Sequence, residues 1–181
     1  MIVPQEPSSA SELCLIIARV HALLQRRFDS ALGNHHGISF GDFQLLNHLR
    51  TAPGARLRRV DLAEKLGLTA SGVTRSLLPL EKIGLVTREP DPRDARVGYA
   101  VITPTGQELV ANAGVTVNLV SREVLRSLPP EQVAAMAKSL GGLAGTASED
   151  ILRHVTSGFE TQRAPDADKA SLWGGLVTGA L

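Results

Sequence analysis

The chain has 181 residues, 43% of them apolar and 20% charged, which suits one ordinary folded domain, or one domain with a small appendage, and excludes wholesale disorder and a fibrous or collagen-like chain. Aromatic residues make up only 3% and the formal charge is +1, so the core must be aliphatic, a base-stacking RNA platform is disfavoured, and the total charge gives no pointer to nucleic acid. The single cysteine, Cys14, excludes an intrachain disulfide framework and a multi-cysteine zinc site. The first dozen residues lack a signal peptide's basic region and apolar run, and no stretch of about 18 uncharged apolar residues exists. The expectation is a cytoplasmic protein with no membrane partner.

Ser9 and Glu12 have capping-box spacing. Leu13, Ile16, Ile17, Val20, Leu23, Leu24, Phe28, Ala31 and Leu32 then recur at intervals of three and four, which predicts a long amphipathic helix ending near Gly33-Asn34. A second helix is expected from Ser39, with Phe43, Leu46 and Leu49 on one face, stopping at Thr51-Ala-Pro-Gly54. Arg56-Leu-Arg58 has room for a very short strand. A third helix spans Val60 to Leu66 and is closed by Gly67. Thr69 is a good N-cap for a fourth, which runs to about Ile83 and is stopped by Gly84.

Two short β-type runs follow, Leu85–Glu89 and Val97–Ile102, joined by a turn-rich loop of Pro90, Asp91, Pro92, Arg93, Asp94, Ala95 and Arg96. Together they predict a hairpin. Thr103-Pro104 reads as an N-cap followed by proline at the first helical position. A fifth helix keeps Leu109, Val110, Ala113, Val117, Val120, Val124 and Leu128 in register, and a sixth opens at Pro129-Pro-Glu131 with Val133, Met136, Leu140 and Leu143. Beyond about Gly145 the pattern fades: residues 148–155 have the makings of a further turn or two of helix, and 156–181 read as mostly disordered.

The fold class expected is therefore mainly α, a winged helix-turn-helix with an α/β wing flanked by helices at both ends. The division is a flexible leader 1–8, dimerisation helices 9–34 and 104–146, a DNA-binding unit 39–103 and a tail 147–181. The long end helices bear apolar stripes that a monomer of this size has difficulty covering, which argues for a two-fold homodimer.

The strongest chemical signal is the run Val60 to Leu77. Leu62, Ala63, Leu66, Val73, Leu77 and Leu80 fall on inward faces, leaving Ala70, Ser71, Thr74 and Arg75 outward near a helix start. Such a helix presents its N-terminal residues to base edges in a major groove and its free N–H groups to phosphate. Short hydroxyls at Ser71 and Thr74 suit phosphate or either base, and Arg75 suits guanine or phosphate. A plain αα-hairpin inside a helical domain is the competing account, and it leaves the small polar residues on the helix start unexplained. The loop adds Arg93 and Arg96, which suit entry into a minor groove, with Asp91 and Asp94 beside them to hold the arginines extended. Residues 50–96 contain ten basic and six acidic side chains, a local charge of +4, while the remainder is at −3. The near-neutral total thus conceals a basic middle between acidic ends.

Five stretches carry a family resemblance: Val60-Asp-Leu-Ala-Glu-Lys-Leu-Gly-Leu-Thr69, Val73-Thr-Arg75, Leu80-Glu-Lys-Ile-Gly-Leu-Val86, Asp91-Pro-Arg-Asp-Ala-Arg96 and Ile102-Thr-Pro-Thr-Gly106. On these the chain resembles the MarR family of bacterial transcription regulators, over roughly residues 10–145. The resemblance implies a homodimer that binds double-stranded DNA at a palindromic operator, most simply as a repressor. It implies major-groove contacts from the helix start, where Thr69, Ser71, Gly72, Thr74 and Arg75 lie, and wing contacts from Arg93 and Arg96 supported by Asp91 and Asp94. It further implies a small aromatic effector in a cleft that Arg19, His21, Phe28, Phe43 and His48 would border, against the plainer account that Phe28 and Phe43 are core and the others surface.

Cys14 sits where a peroxide-sensing branch of the family keeps a reactive cysteine, but it lacks a nearby tyrosine or close positive charge, so a buried and inert thiol is expected. His35-His36, with His21 and His48, make a weak metal set, and no metal or cofactor is expected. No nucleophile elbow, phosphate-cradling glycine loop or HExxH stretch occurs, so the chain is not expected to be an enzyme. A winged helix serving protein contact, or a redox switch through Cys14, are the rival accounts. Pro79 departs from the pattern by lying inside the predicted recognition helix, where it removes a hydrogen bond to the Arg75 carbonyl.

Overall fold

The computed structural model describes residues 9–91 and 98–145. The leader 1–8, the wing residues Pro92 to Val97 (with Arg93, Asp94 and Arg96) and the tail from 146 onward lie outside the described residues. Contacts group the chain into two units, 1–123 and 124–181.

In the first unit the elements run α1 (Ser9–His36), α2 (Phe40–Thr51), a 3-10 turn (Pro53–Ala55), β1 (Arg56–Arg58), α3 (Arg59–Leu66), α4 (Ala70–Lys82), β2 (Val86–Pro90), β3 (Gly98–Ile102) and α5 (Pro104–Leu125, whose last two residues pass into the second unit). The three strands form one antiparallel sheet in the order β1-β3-β2. Its register pairs Arg58 with Tyr99 and Glu89 with Tyr99. The second unit contributes α6 (Pro130–Leu143), on which Val133 and Gly141 are buried.

The core is aliphatic, as the composition requires. Leu32, Leu45, Leu46, Leu49, Leu62, Val73 and Leu77 are fully buried, and truncating such a leucine to alanine typically costs about 2–5 kcal/mol. The inward faces predicted for α3 and α4 are the observed ones: Leu62, Ala63, Val73, Leu77 and Leu80 join one cluster, with Leu66 packed against it. Ser39 caps α2 through a complete capping box with Asp42, which ties down the helix start on which that cluster depends.

Two helix C-terminal ends differ from the sequence reading. Helix α1 does not stop at Gly33-Asn34 but continues to His36, because the left-handed turn is made by Gly37 at φ 69°. The extra turn is held by the tertiary structure: Leu32 is fully buried, and His36 Nε2 lies 2.8 Å from Thr116 Oγ1 of α5. Helix α5 ends at Leu125, so Leu128 falls beyond it and its amide closes onto the Leu125 carbonyl. Pro79 neither breaks nor ends α4, which runs through it to Lys82.

Most of the α1 stripe is not consumed by the chain's own core. Only Phe28 and Leu32 of that helix are buried, while Leu13, Ile16, Val20 and Leu23 remain exposed, Ile16 at 51%.

Candidate nucleic-acid interface

The turn between α3 and α4 is built from a single left-handed residue. Gly67 sits at φ 62° and its amide reaches the carbonyls of Ala63 and Glu64, conditions that a side chain would penalise. The Leu68 amide bonds the Ala63 carbonyl at 2.9 Å, and the small side chain of Ala63 lies in the shared core. Thr69 then caps α4, its Oγ1 accepting from the Gly72 amide at 3.1 Å.

The residues predicted to read DNA separate by what they are already doing. Ser71 is exposed and its hydroxyl stands 3.2 Å from that of Thr69. Gly72 is half-buried, and a Cβ there would come within 3.2 Å of Thr69 Oγ1, so its part is to let the cap close. Thr74 is half-buried and donates its proton to the Ala70 carbonyl at 3.0 Å, leaving oxygen lone pairs as its outward chemistry. Arg75 is exposed and has no acidic partner among the described residues.

Three other arginines of the basic segment are committed to carboxylates. Arg58 is forked onto Asp61 with contacts of 2.8 and 2.9 Å; this bond and the Asp61 charge hold its pKa above the usual arginine value. Arg88 pairs with Glu81 across α4 and β2. Arg56 meets Glu89 at 3.4 Å and lies 4.8 Å over the ring of Tyr99, within cation–π range. Tyr99 in turn donates its hydroxyl to Asp91 Oδ2 at 3.1 Å. Asp91, read from the sequence as a support for the wing arginines, is therefore half-buried and held from β3. Tyr99 and Arg56 were not among the sequence-derived site residues. The period-two spacing of Arg56 and Arg58 put both on one sheet face, but which face Tyr99 shared depended on the register.

The residues expected to border an effector cleft are only partly brought together. Phe28 is buried and stacks on Phe40 at 4.4 Å, and Phe40 stacks on half-buried Phe43 at 6.3 Å. Arg19 and His21 are exposed on α1. His48 is half-buried on α2, and burial, followed by the charge of Lys65 on α3, lowers its pKa. Cys14 is exposed, not buried as expected, because the stretch of α1 around it contributes nothing to the chain's own core. Among the described residues no group of three or more His, Cys, Asp or Glu side chains is placed to hold a metal ion, and no helix is long and apolar enough to cross a membrane.

The family model described as MarR family matches residues 36–97, the stretch from the end of α1 to the base of β3. The fold is similar to that of Sco3205, a MarR family transcriptional regulator from Streptomyces coelicolor solved in complex with DNA, with 28% identity, 90% of this chain and 96% of that one covered, and a TM-score of 0.67. The chain resembles the MarR family, whose model it matches over residues 36–97 and whose DNA-bound member Sco3205 shares its fold. It is a DNA-binding transcriptional regulator of the winged-helix type. Two further comparisons extend the likeness. An uncharacterised HTH-type transcriptional regulator of Bacillus subtilis, YdgJ, is 26% identical over 125 residues, covering 69% of this chain and 73% of that protein. NadR, solved in complex with 4-hydroxyphenylacetate, is 25% identical with a TM-score of 0.63, covering 79% of this chain and 98% of that one. Two of the MarR-like motifs meet physically in this chain. Gly106 approaches the backbone so closely that a Cβ on it would stand 2.3 Å from the Leu85 carbonyl oxygen, joining the Leu80–Val86 run to the Thr103–Gly106 run.

Proposed function

We propose that the protein is a homodimeric repressor of the cytoplasm, without catalytic activity, that binds a palindromic operator. Arg75 and Ser71 face base edges of the major groove, Thr69, Gly72 and Thr74 form the helix start that presents them, and Arg93 and Arg96 reach the minor groove with Asp91 and Asp94 beside them. The observation that supports this reading best is Arg75: it is the exposed arginine on the N-terminal half of α4 and has no acidic partner among the described residues, while Arg56, Arg58 and Arg88 are each paired. A free guanidinium at this position suits bidentate contact with guanine.

Dimerisation is supported by the exposed stripe of Leu13, Ile16, Val20 and Leu23, an apolar face of a kind that soluble monomers rarely leave uncovered. Two-fold symmetry then places the two recognition helices on half-sites about one helical turn, roughly 34 Å, apart. Bound there, the dimer excludes polymerase. A small aromatic acid releases it, in keeping with the ligand held by NadR. The stack of Phe28, Phe40 and Phe43 is the aromatic surface available beside α1 and α2.

Selection of duplexes from a random pool by the wild-type protein, followed by footprinting, tests this reading. Enriched sequences with inverted half-sites protected together support it. Sequences without symmetry, or no enrichment above non-specific binding, would refute it.

A further inference from the structure

The mouth of the hairpin is closed by residues that grip each other poorly. The last register pair is Pro90 with Gly98. Proline has no N–H to give the ladder, and glycine has no side chain and the greatest backbone freedom. Just beyond that pair, the Tyr99 hydroxyl donates to Asp91 Oδ2 at 3.1 Å, and Asp91 is the first residue after β2. A phenol donating to a carboxylate is a charge-assisted bond, stronger than the amide bond that proline cannot make. The ring is itself held from the opposite edge of the sheet, with Arg56 of β1 lying 4.8 Å over it and anchored in turn by Glu89 of β2. A single line of contacts, Glu89 to Arg56 to Tyr99 to Asp91, thus spans all three strands and ends where the wing begins.

Packing alone does not require the hydroxyl. Tyr99 is the chain's only tyrosine, is half-buried, and as phenylalanine would keep both its ring and its strand preference. We propose that Tyr99 is a positioning residue for DNA binding: its hydroxyl holds Asp91 at the end of β2, and the contact of the wing arginines with the duplex depends on that hold. The inference rests on the reading that Arg93 and Arg96 contact DNA.

The test uses the full chain and a fluorescein-labelled 30-bp duplex of mixed sequence, titrated by anisotropy at low and moderate salt. Tyr99→Phe is expected to weaken binding roughly ten- to a hundred-fold, the range for losing one hydrogen bond to a charged group, with a shallower salt dependence and a fold that circular dichroism shows to be intact. In an Asp91→Ala background the same substitution should weaken binding no further, because the bond is already gone. Wild-type affinity for Tyr99→Phe, in a series where Arg93→Ala and Arg96→Ala bind weakly, overturns the proposal and leaves the wing reading standing. An undiminished loss in the Asp91→Ala background also overturns it, since the hydroxyl would then act elsewhere. Wild-type affinity for the two arginine variants removes the wing reading and this inference together.

Discussion

Thr103 Oγ1 donates a 2.7 Å hydrogen bond to the carbonyl of Gly84, nineteen residues earlier. The same oxygen accepts from the Gly106 amide at 3.1 Å, so one hydroxyl both caps α5 and fastens it to the turn that ends the recognition helix. Gly106 completes the joint by having no Cβ to strike the Leu85 carbonyl. The C-terminal end of α4 is therefore tied to α5 through the turn that closes it.

This joint has a measurable cost when broken. Thr103→Val should lose about 1–2 kcal/mol of stability, the range for removing a helix cap. Gly106→Ala should lose about 1–3 kcal/mol, because the added methyl meets rigid backbone and the segment must shift. Urea denaturation of each variant checks both values, and wild-type stability for Gly106→Ala would show that the contact relaxes freely.

Arg75→Ala should leave thermal unfolding unchanged, since the side chain is exposed and makes no ion pair among the described residues. It should weaken binding to a selected operator by about 1–3 kcal/mol, the worth of a bidentate base contact. The loss should be much smaller on a duplex of unrelated sequence. Gel-shift titrations on both duplexes distinguish base reading from phosphate contact: equal losses on the two would assign Arg75 to the backbone.

Ile16→Glu or Leu23→Glu places a charge on the exposed stripe of α1. The single chain tolerates it, because neither residue belongs to its core. A dimer that buries the stripe does not, since an unpaired charge is costly to bury. Light scattering after size exclusion should report a dimer for the wild type and a folded monomer for the variant.

His48 makes stability fall on acidification. Its folded-state pKa lies below the ordinary value of 6.5, first because of burial and second because of Lys65. Above about pH 6.5 the group is neutral in both states and nothing is lost. As the pH drops below that value the unfolded chain takes up a proton that the folded chain resists, and unfolding is favoured. Denaturation midpoints at pH 7.5 and 5.5 should therefore differ less for His48→Gln than for the wild type. An identical drop in both would assign the acid sensitivity to other groups.

Pro79 sits inside a continuous α4, where it withholds a hydrogen bond from the Arg75 carbonyl and crowds it. Its side chain is exposed, so no packing is lost on replacement. Pro79→Ala should raise stability, by up to about 3 kcal/mol on the helix-interior scale, as read by thermal melting. An unchanged melting temperature would mean that the surrounding core already fixes the helix.

The helix-turn-helix was legible because its signals are local. Gly67 and Gly84 are the left-handed stops they looked like, Thr69 is the cap, and the spacing of Leu62, Ala63, Val73, Leu77 and Leu80 alone determined the buried faces. What the sequence left open depended on distant partners. The extra turn of α1 follows from the burial of Leu32 and the contact between His36 and Thr116, 80 positions apart. The exposure of Cys14 follows from an apolar stripe that a single chain does not cover.

The sequence also determined that the middle of the chain is basic, because formal charge is a count. Only the tertiary structure decided which of those charges are free. An arginine's availability depends on whether a carboxylate stands within reach, and the sheet brought Glu89 of β2 diagonally across β3 to Arg56, while packing of β2 against α4 brought Glu81 to Arg88. Among the described residues Arg75 received no such neighbour.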